Sequence, residues 1–175
     1  MKIIHTSDWH LGRRFGPVSL EADQQAFADW FVDLVADHHG DLVVIAGDLY
    51  DRAIAPTSAI DLFTDTVARL LDTGAVVAAI SGNHDGPSRV APYDDLMDRS
   101  GFYLRGGYRN AGEVIRHEFS DGPLDLVLIP YLDPQGAPTT TASRARIHTT
   151  PMRPSCWSDA TAAHTSRSSR TRSQR

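Results

Sequence analysis

The sequence predicts an α/β fold around a largely parallel sheet, and three observations carry that expectation. Three short apolar runs rich in β-branched residues, at 2–6, 42–46 and 76–81, are nearly continuous, as strands buried on both faces of a sheet should be. Between consecutive runs lies a segment with apolar residues at helical spacing. The order strand, helix, strand, helix, strand calls for right-handed crossovers and parallel pairing.

The first helix follows from Leu20, Phe27, Phe31, Leu34 and Val35 on one stripe, with Asp23, Asp29, Asp33 and Asp37 over the rest. It should end near His38-His39-Gly40, with Gly40 in the left-handed cap conformation. In the second helix Ala59, Leu62, Phe63, Val67, Leu70 and Leu71 repeat the stripe, with Pro56 near its start and Gly74 just past its end. Further on, 89–99 reads as a short helix. Segments 113–119 and 125–131 read as strands joined by a turn at Ser120-Asp121-Gly122-Pro123. With no helix between them, these two strands are expected to add antiparallel members to the same sheet.

After Pro134 the pattern fails. The last 41 residues contain no Leu, Val, Phe or Tyr, and 15 of them are Ser or Thr. Such a segment cannot bury enough apolar surface to offset its ordering entropy. The expected organisation is therefore an incomplete folded domain over 1–134 and a disordered tail over 135–175. The tail holds seven Arg and one acidic residue, which leaves −11 for 1–134 out of a whole-chain charge of −5. An acidic body gives no electrostatic footprint for nucleic acid, but it suits carboxylates that gather divalent cations. The single cysteine, Cys156, excludes a disulfide framework or a cysteine metal cluster within the chain. No apolar run is long enough to span a bilayer, and the first residues lack a signal-peptide core, so the expected setting is cytoplasmic, without membrane contact.

Each of the three apolar runs ends in polar residues able to bind metal. They are Asp8-Trp9-His10, Gly47-Asp48-Leu49-Tyr50-Asp51 and Gly82-Asn83-His84-Asp85. Parallel strands bring their carboxyl ends to one edge, where ligands bind in open α/β sheets. Asp8 and His10, two residues apart, should face the same way on an extended strand end, with Trp9 turned to the core. Asp48 and Asn83 would arrive from neighbouring strands, with Gly47 and Gly82 permitting sharp turns. Any one cluster alone is an ordinary turn. Three in this order, each directly after a buried strand, point to a metal centre. Carboxylate, imidazole and amide oxygen together suit Mn²⁺, Fe²⁺ or Zn²⁺ better than Ca²⁺. A central carboxylate such as Asp48 can bridge two ions roughly 3.5–4 Å apart and so support phosphoester hydrolysis.

These residues resemble the calcineurin-like metallophosphoesterase superfamily, with its pattern D-x-H, G-D-x-x-D and G-N-H-D or G-N-H-E. The flanking text, Ile3-Ile4-His5-Thr6-Ser7-Asp8-Trp9-His10-Leu11-Gly12, Ala46-Gly47-Asp48-Leu49-Tyr50-Asp51-Arg52, Ile80-Ser81-Gly82-Asn83-His84-Asp85 and Ile129-Pro130-Tyr131-Leu132, is similar to the SbcD family of DNA nucleases over about 1–134. The resemblance implies a four-layer α/β/β/α sandwich, truncated here, and Mn²⁺-dependent 3′–5′ exonuclease and endonuclease activity on DNA. It also implies an SbcC-like ATPase partner and a homodimer. By position, Asp8, His10 and Asp48 would hold one metal and Asp48 and Asn83 the other. His84 would protonate or electrostatically assist the leaving oxygen, Asp85 would orient His84, and Asp51 and Arg52 would support the site from behind.

The same family uses three further histidines, which this sequence does not supply in context. His117 falls too early, and His148 and His164 lack matching neighbours. Metal binding and turnover are accordingly expected to be impaired. The codons that Pro151-Met152-Arg153-Pro154-Ser155-Cys156-Trp157 permits can, in another frame, read His-Glu-Ala-Val-Leu-Leu, so 135–175 is read as a frame-shifted tail. The alternative is a genuine disordered extension whose late arginines touch DNA phosphates. Two other functional readings stand beside the nuclease. One is a calcineurin-like enzyme acting on a small phosphodiester or a phosphoprotein, which Asp85 in place of Glu disfavours. The other is a non-catalytic remnant.

Overall fold

The computed structural model describes residues 1–90 and 97–138. The chain runs through β1 (Ile3–Thr6), a small hairpin of β2 (Arg14–Phe15) and β3 (Val18–Ser19), α1 (Glu21–Asp37), β4 (Leu42–Ala46), α2 (Thr57–Asp72) and β5 (Val76–Ile80). There follow a helical turn α3 (Pro87–Val90), then β6 (Phe102–Arg105) and a second hairpin of β7 (Val114–Phe119) and β8 (Gly122–Val127).

The central sheet has the order β1-β4-β5-β6 and is parallel throughout, with Ile3 beside Leu42, Leu42 beside Val76 and Val77 beside Phe102. Because each strand is added on the same side of the last, right-handed crossovers place α1 and α2 on one face. Residues of one parity meet those helices: Val43, Ile45, Val77, Ala79, Phe102 and Leu104 pack with Phe31, Val35, Leu62, Phe63 and Leu70. The other parity, Leu42, Val76, Ala78 and Tyr103, packs against Ile115 and Leu128 around the second hairpin. Each fully buried Val or Leu in these two cores is worth roughly 1.5–3 kcal/mol, so the layering follows from strand periodicity. The described residues thus form helix, sheet and hairpin layers of an α/β fold.

Several local expectations are corrected. The first run is not buried on both faces: β1 is an edge strand and Ile3 is 52% exposed. The second hairpin does not join the parallel sheet but forms a two-stranded sheet of its own. Its turn is the two residues Ser120-Asp121, so β8 begins at Gly122 and Pro123 pairs with Glu118. A strand of a two-stranded hairpin has an outward side where proline's missing N–H costs nothing. At the end of α1 the left-handed residue is His39 (φ 50°), not Gly40. Gly40 answers a packing need instead, since a β-carbon there would lie 2.9 Å from Ile4 Cδ1. The fourth parallel strand, β6, escaped the sequence reading because Phe102-Tyr103-Leu104-Arg105 is short and ends in a charge. That charge is Arg105, 2% exposed and paired twofold with Asp98 at 2.8 and 3.0 Å. Of the helix expected at 89–99, α3 covers the start and a 3₁₀ turn (Asp98–Ser100) the end, while 91–96 lie outside the described residues. Of the tail expected over 135–175, the described residues end at 138, just after a 3₁₀ turn, Pro134–Gly136, capped by Asp133; from 139 onward it lies outside them.

Candidate metal centre

The carboxyl edge of the parallel sheet continues past the strands. Asp8 N–H donates to Gly47 O (3.1 Å), His10 N–H to Asp48 O (2.9 Å) and Leu11 N–H to Leu49 O (2.9 Å). Along these two loops core and site residues alternate. Trp9, Leu11 and Leu49 are buried, while Asp8, His10 and Asp48 stand between them. Trp9 meets Phe27, Phe31 and Phe63 edge-on at 5.6–6.0 Å and donates its indole N–H to Thr6 Oγ1. As the sequence reading expected, it faces the core.

The backbone of these loops is not extended. Asp8 (φ 59°), His10 (φ 45°) and Asp48 (φ 49°) are all left-handed, a conformation costing a non-glycine residue about 1–3 kcal/mol. The extended-strand argument for Asp8 and His10 facing one way therefore does not hold. Asp8 lines an open cleft of about 290 Å³ with Asp48, Asn83 and Tyr131. His10 instead joins Asp48 and His84, whose ligand atoms all lie within 4.8 Å of one another. Asp48 belongs to both groups.

The third loop is bound to the second through Asp48 and Asp85. His84 N–H donates to Asp48 Oδ1 at 3.0 Å. Gly82 is required by this closeness and not by its φ: a β-carbon there would lie within 2.7 Å of Asp48 Cγ and nearer still to its Oδ1. Gly47, by contrast, does use the left-handed region, at φ 89°.

The Asp85 carboxylate hydrogen-bonds to main-chain N–H groups and not to the His84 ring. It is 4% exposed and accepts from Leu49 N (3.0 Å) and Gly82 N (2.8 Å) on one oxygen and from Tyr50 N (2.8 Å) on the other. Burial pushes this carboxyl above its ordinary pKa, against the pull of the three N–H donors, with Asp48 adding to the rise. The ring of His84 is held by the main chain of Asp51, whose carbonyl lies 2.9 Å from Nδ1. A carbonyl only accepts, so Nδ1 carries the proton and Nε2 is left for chemistry. Tyr50, between these residues, is pushed up to about 12 by burial and then by Asp85, which keeps it a neutral phenol.

The donor set fits a divalent ion. His10 Nδ1 is buried without a hydrogen-bond partner, 3.9 Å from Asp51 Oδ1, and its Nε2 is 3.7 Å from Asp48 Oδ2, beyond hydrogen-bond range. An imidazole with neither nitrogen engaged, edge-on to a second imidazole at 4.8 Å and beside a carboxylate, has the chemistry of a ligand awaiting a cation. Asp51 also lies 3.8 Å from Arg13 Nε, so its carboxylate sits between a guanidinium and His10.

Two residues escaped the sequence reading as site residues. Tyr131 lines the cleft, its N–H donating to Ser81 O at 2.9 Å; the only signal was its place in Ile129-Pro130-Tyr131-Leu132. Gln24, on α1, bonds the loop around His10 and had no motif to mark it. His117 lies on β7, 2.8 Å from the Tyr103 hydroxyl and against Phe119, while His148 and His164 lie outside the described residues.

Comparison with known proteins agrees with this geometry. The calcineurin-like phosphoesterase family model matches residues 1–162, past the boundary expected at 134. The SbcD component of the nuclease SbcCD from Escherichia coli K12 is 34% identical over 144 residues, covering 81% of this chain and 36% of that protein. Its counterpart from Staphylococcus saprophyticus is 34% identical over 132 residues, covering 75% and 34%. The chain spans about a third of the length of these relatives. With three strand-end loops converging on Asp48 and a family match over most of its length, the chain belongs to the calcineurin-like phosphoesterase family.

Proposed function

We propose that this chain carries the metal centre of a phosphodiesterase acting on DNA, with two divalent ions, Mn²⁺ foremost, sharing Asp48. The observation that carries the reading is that Asp48 clusters with His10 and His84, their ligand atoms within 4.8 Å, and lines one cleft with Asp8 and Asn83. Asp8, His10, Asp48 and Asn83 are the proposed ligands. Ions held there would supply a Lewis acid and an activated water.

The chain's own residues do the rest. Asp48 is pinned by the His84 N–H, so the shared carboxylate cannot swing away. His84, fixed through Nδ1, presents Nε2 to the site and, when protonated, can deliver a proton to a leaving oxygen. Asp85 locks the second and third loops in register, and the Asp51 carbonyl holds the His84 ring. The relatives are named as one component of a nuclease called SbcCD, which supports DNA as substrate and an SbcC-like ATPase as partner. A homodimer, a cytoplasmic setting and a folded unit ending near 134 belong to the same proposal. No helix among the described residues is long and apolar enough to cross a membrane.

The test is cleavage of single-stranded DNA and of bis-p-nitrophenyl phosphate with Mn²⁺, by the chain and by Asp48→Asn. Mn²⁺-dependent DNA cleavage lost in the variant supports the proposal. Hydrolysis of the small diester with no action on DNA would move the assignment to a small-molecule phosphodiesterase.

A further inference from the structure

We infer that Gln24 is a positioning residue of the metal centre, its side-chain amide gripping the main chain on both sides of Leu11 and so fixing where His10 stands. Its Nε2 donates to His10 O at 2.8 Å and its Oε1 accepts from Gly12 N–H at 3.0 Å. The inference rests on the reading of His10 as a metal ligand.

The geometry leaves the amide one orientation. A carbonyl only accepts and a main-chain N–H only donates, so the Gln24 oxygen must face Gly12 and its nitrogen must face His10. Both partners sit in left-handed backbone, His10 at φ 45° and Gly12 at φ 85°. In that conformation the chain cannot continue a strand ladder on both sides. One side is held by β4's extension, through His10 N–H to Asp48 O and Leu11 N–H to Leu49 O. On the other side His10 O accepts Arg13 N–H at 3.1 Å across a tight turn, and Gln24, reaching in from α1, adds a second donor to that carbonyl and supplies the acceptor for Gly12 N–H.

That helix is rigidly seated. Phe31 and Val35 are buried in the core beneath the sheet, and Gln24 lies within its first turns. The side chain therefore transmits a fixed frame to the loop. Gln24 is half-buried and borders an open cleft, so water can replace its two hydrogen bonds when it is removed. Loss of the side chain should thus cost little global stability. What it costs is the definition of the His10 backbone and of the imidazole standing on it. Partners that orient metal ligands typically contribute about 10–100-fold to metal affinity.

The experiment measures Mn²⁺ affinity by calorimetry, and the visible spectrum of the Co²⁺ form, for the full chain and for Gln24→Ala, Gln24→Glu and Gln25→Ala. The last controls for helix effects in the same turn, because among the described residues the Gln25 amide reaches only Asp29. Gln24→Glu keeps the acceptor for Gly12 but turns an oxygen toward the His10 carbonyl. The expected result is Mn²⁺ binding about 10–100-fold weaker in both Gln24 variants, with an altered Co²⁺ spectrum, and no change in Gln25→Ala. A Gln24→Ala protein with a lower thermal midpoint but unchanged Mn²⁺ affinity and Co²⁺ spectrum would overturn the inference. If the unaltered chain binds no Mn²⁺, the metal reading fails, and amide exchange at Gly12 in metal-free protein decides the positioning role. Slow exchange that becomes fast in Gln24→Ala upholds it, and equal rates overturn it.

Discussion

Replacing Asp85 by Asn separates two roles for this carboxylate. In the structure one oxygen takes N–H groups from Leu49 and Gly82 and the other takes that of Tyr50, all at 2.8–3.0 Å in a 4% exposed position. An Asn side chain has one acceptor oxygen and one donor nitrogen. Whichever way it turns, at least one main-chain N–H meets another donor. The loss is one hydrogen bond to a charged acceptor, worth about 1.5–3 kcal/mol, offset in part because burial already disfavours the charge. A net destabilisation of about 1–2 kcal/mol is expected. For a fold of roughly 130 described residues, 1 kcal/mol moves the midpoint by about 3–4 °C, so the melt should fall by about 3–8 °C. Urea denaturation and a thermal scan on metal-free protein measure this. A variant within about 0.5 kcal/mol of the parent, whose pH–rate profile nonetheless shifts, would refute the clamp and return Asp85 to the His84 imidazole.

Other substitutions follow from the same contacts. Gly82→Ala drives a β-carbon into Asp48 and should cost about 1–3 kcal/mol and abolish Mn²⁺ uptake, read by denaturation and calorimetry. Trp9→Ala removes the anchor under Asp8 and His10 and should cost about 3–5 kcal/mol, read by urea unfolding. Asp29 is held below its ordinary carboxyl pKa chiefly by its hydrogen bond to Arg69, at 2.6 Å. A depressed carboxyl stabilises the fold above its unfolded pKa, and that stability is lost as pH falls through the folded value. Asp29→Asn should therefore melt lower than the parent near pH 6 and converge with it in strong acid.

How much of this was legible in the sequence depends on whether a signal is local. The strands β4 and β5, both long helices and the three strand-end clusters were readable because apolar periodicity and motif spacing lie along the chain. The exposed β1 was misread because burial depends on which strand ends up at the sheet edge. The left-handed backbone at Asp8, His10 and Asp48 was not foreseen, because residue type does not announce it at non-glycine positions. Asp85 was assigned to its sequence neighbour His84, whereas its partners Leu49 and Tyr50 are contributed by another loop. Gln24 and Tyr131 likewise act through contacts distant in sequence; no motif marks Gln24, and Tyr131 had only its place in Ile129-Pro130-Tyr131-Leu132.

The central claim is that Asp48 is the shared carboxylate of the centre, and a Mn²⁺ titration of the full chain against Asp48→Asn, followed by electron paramagnetic resonance, tests it most directly. The account predicts two ions per chain at saturation, spin-coupled, with both lost in the variant. An Asp48→Asn protein that still takes up both ions, or a parent chain whose ions bind without coupling, would contradict it.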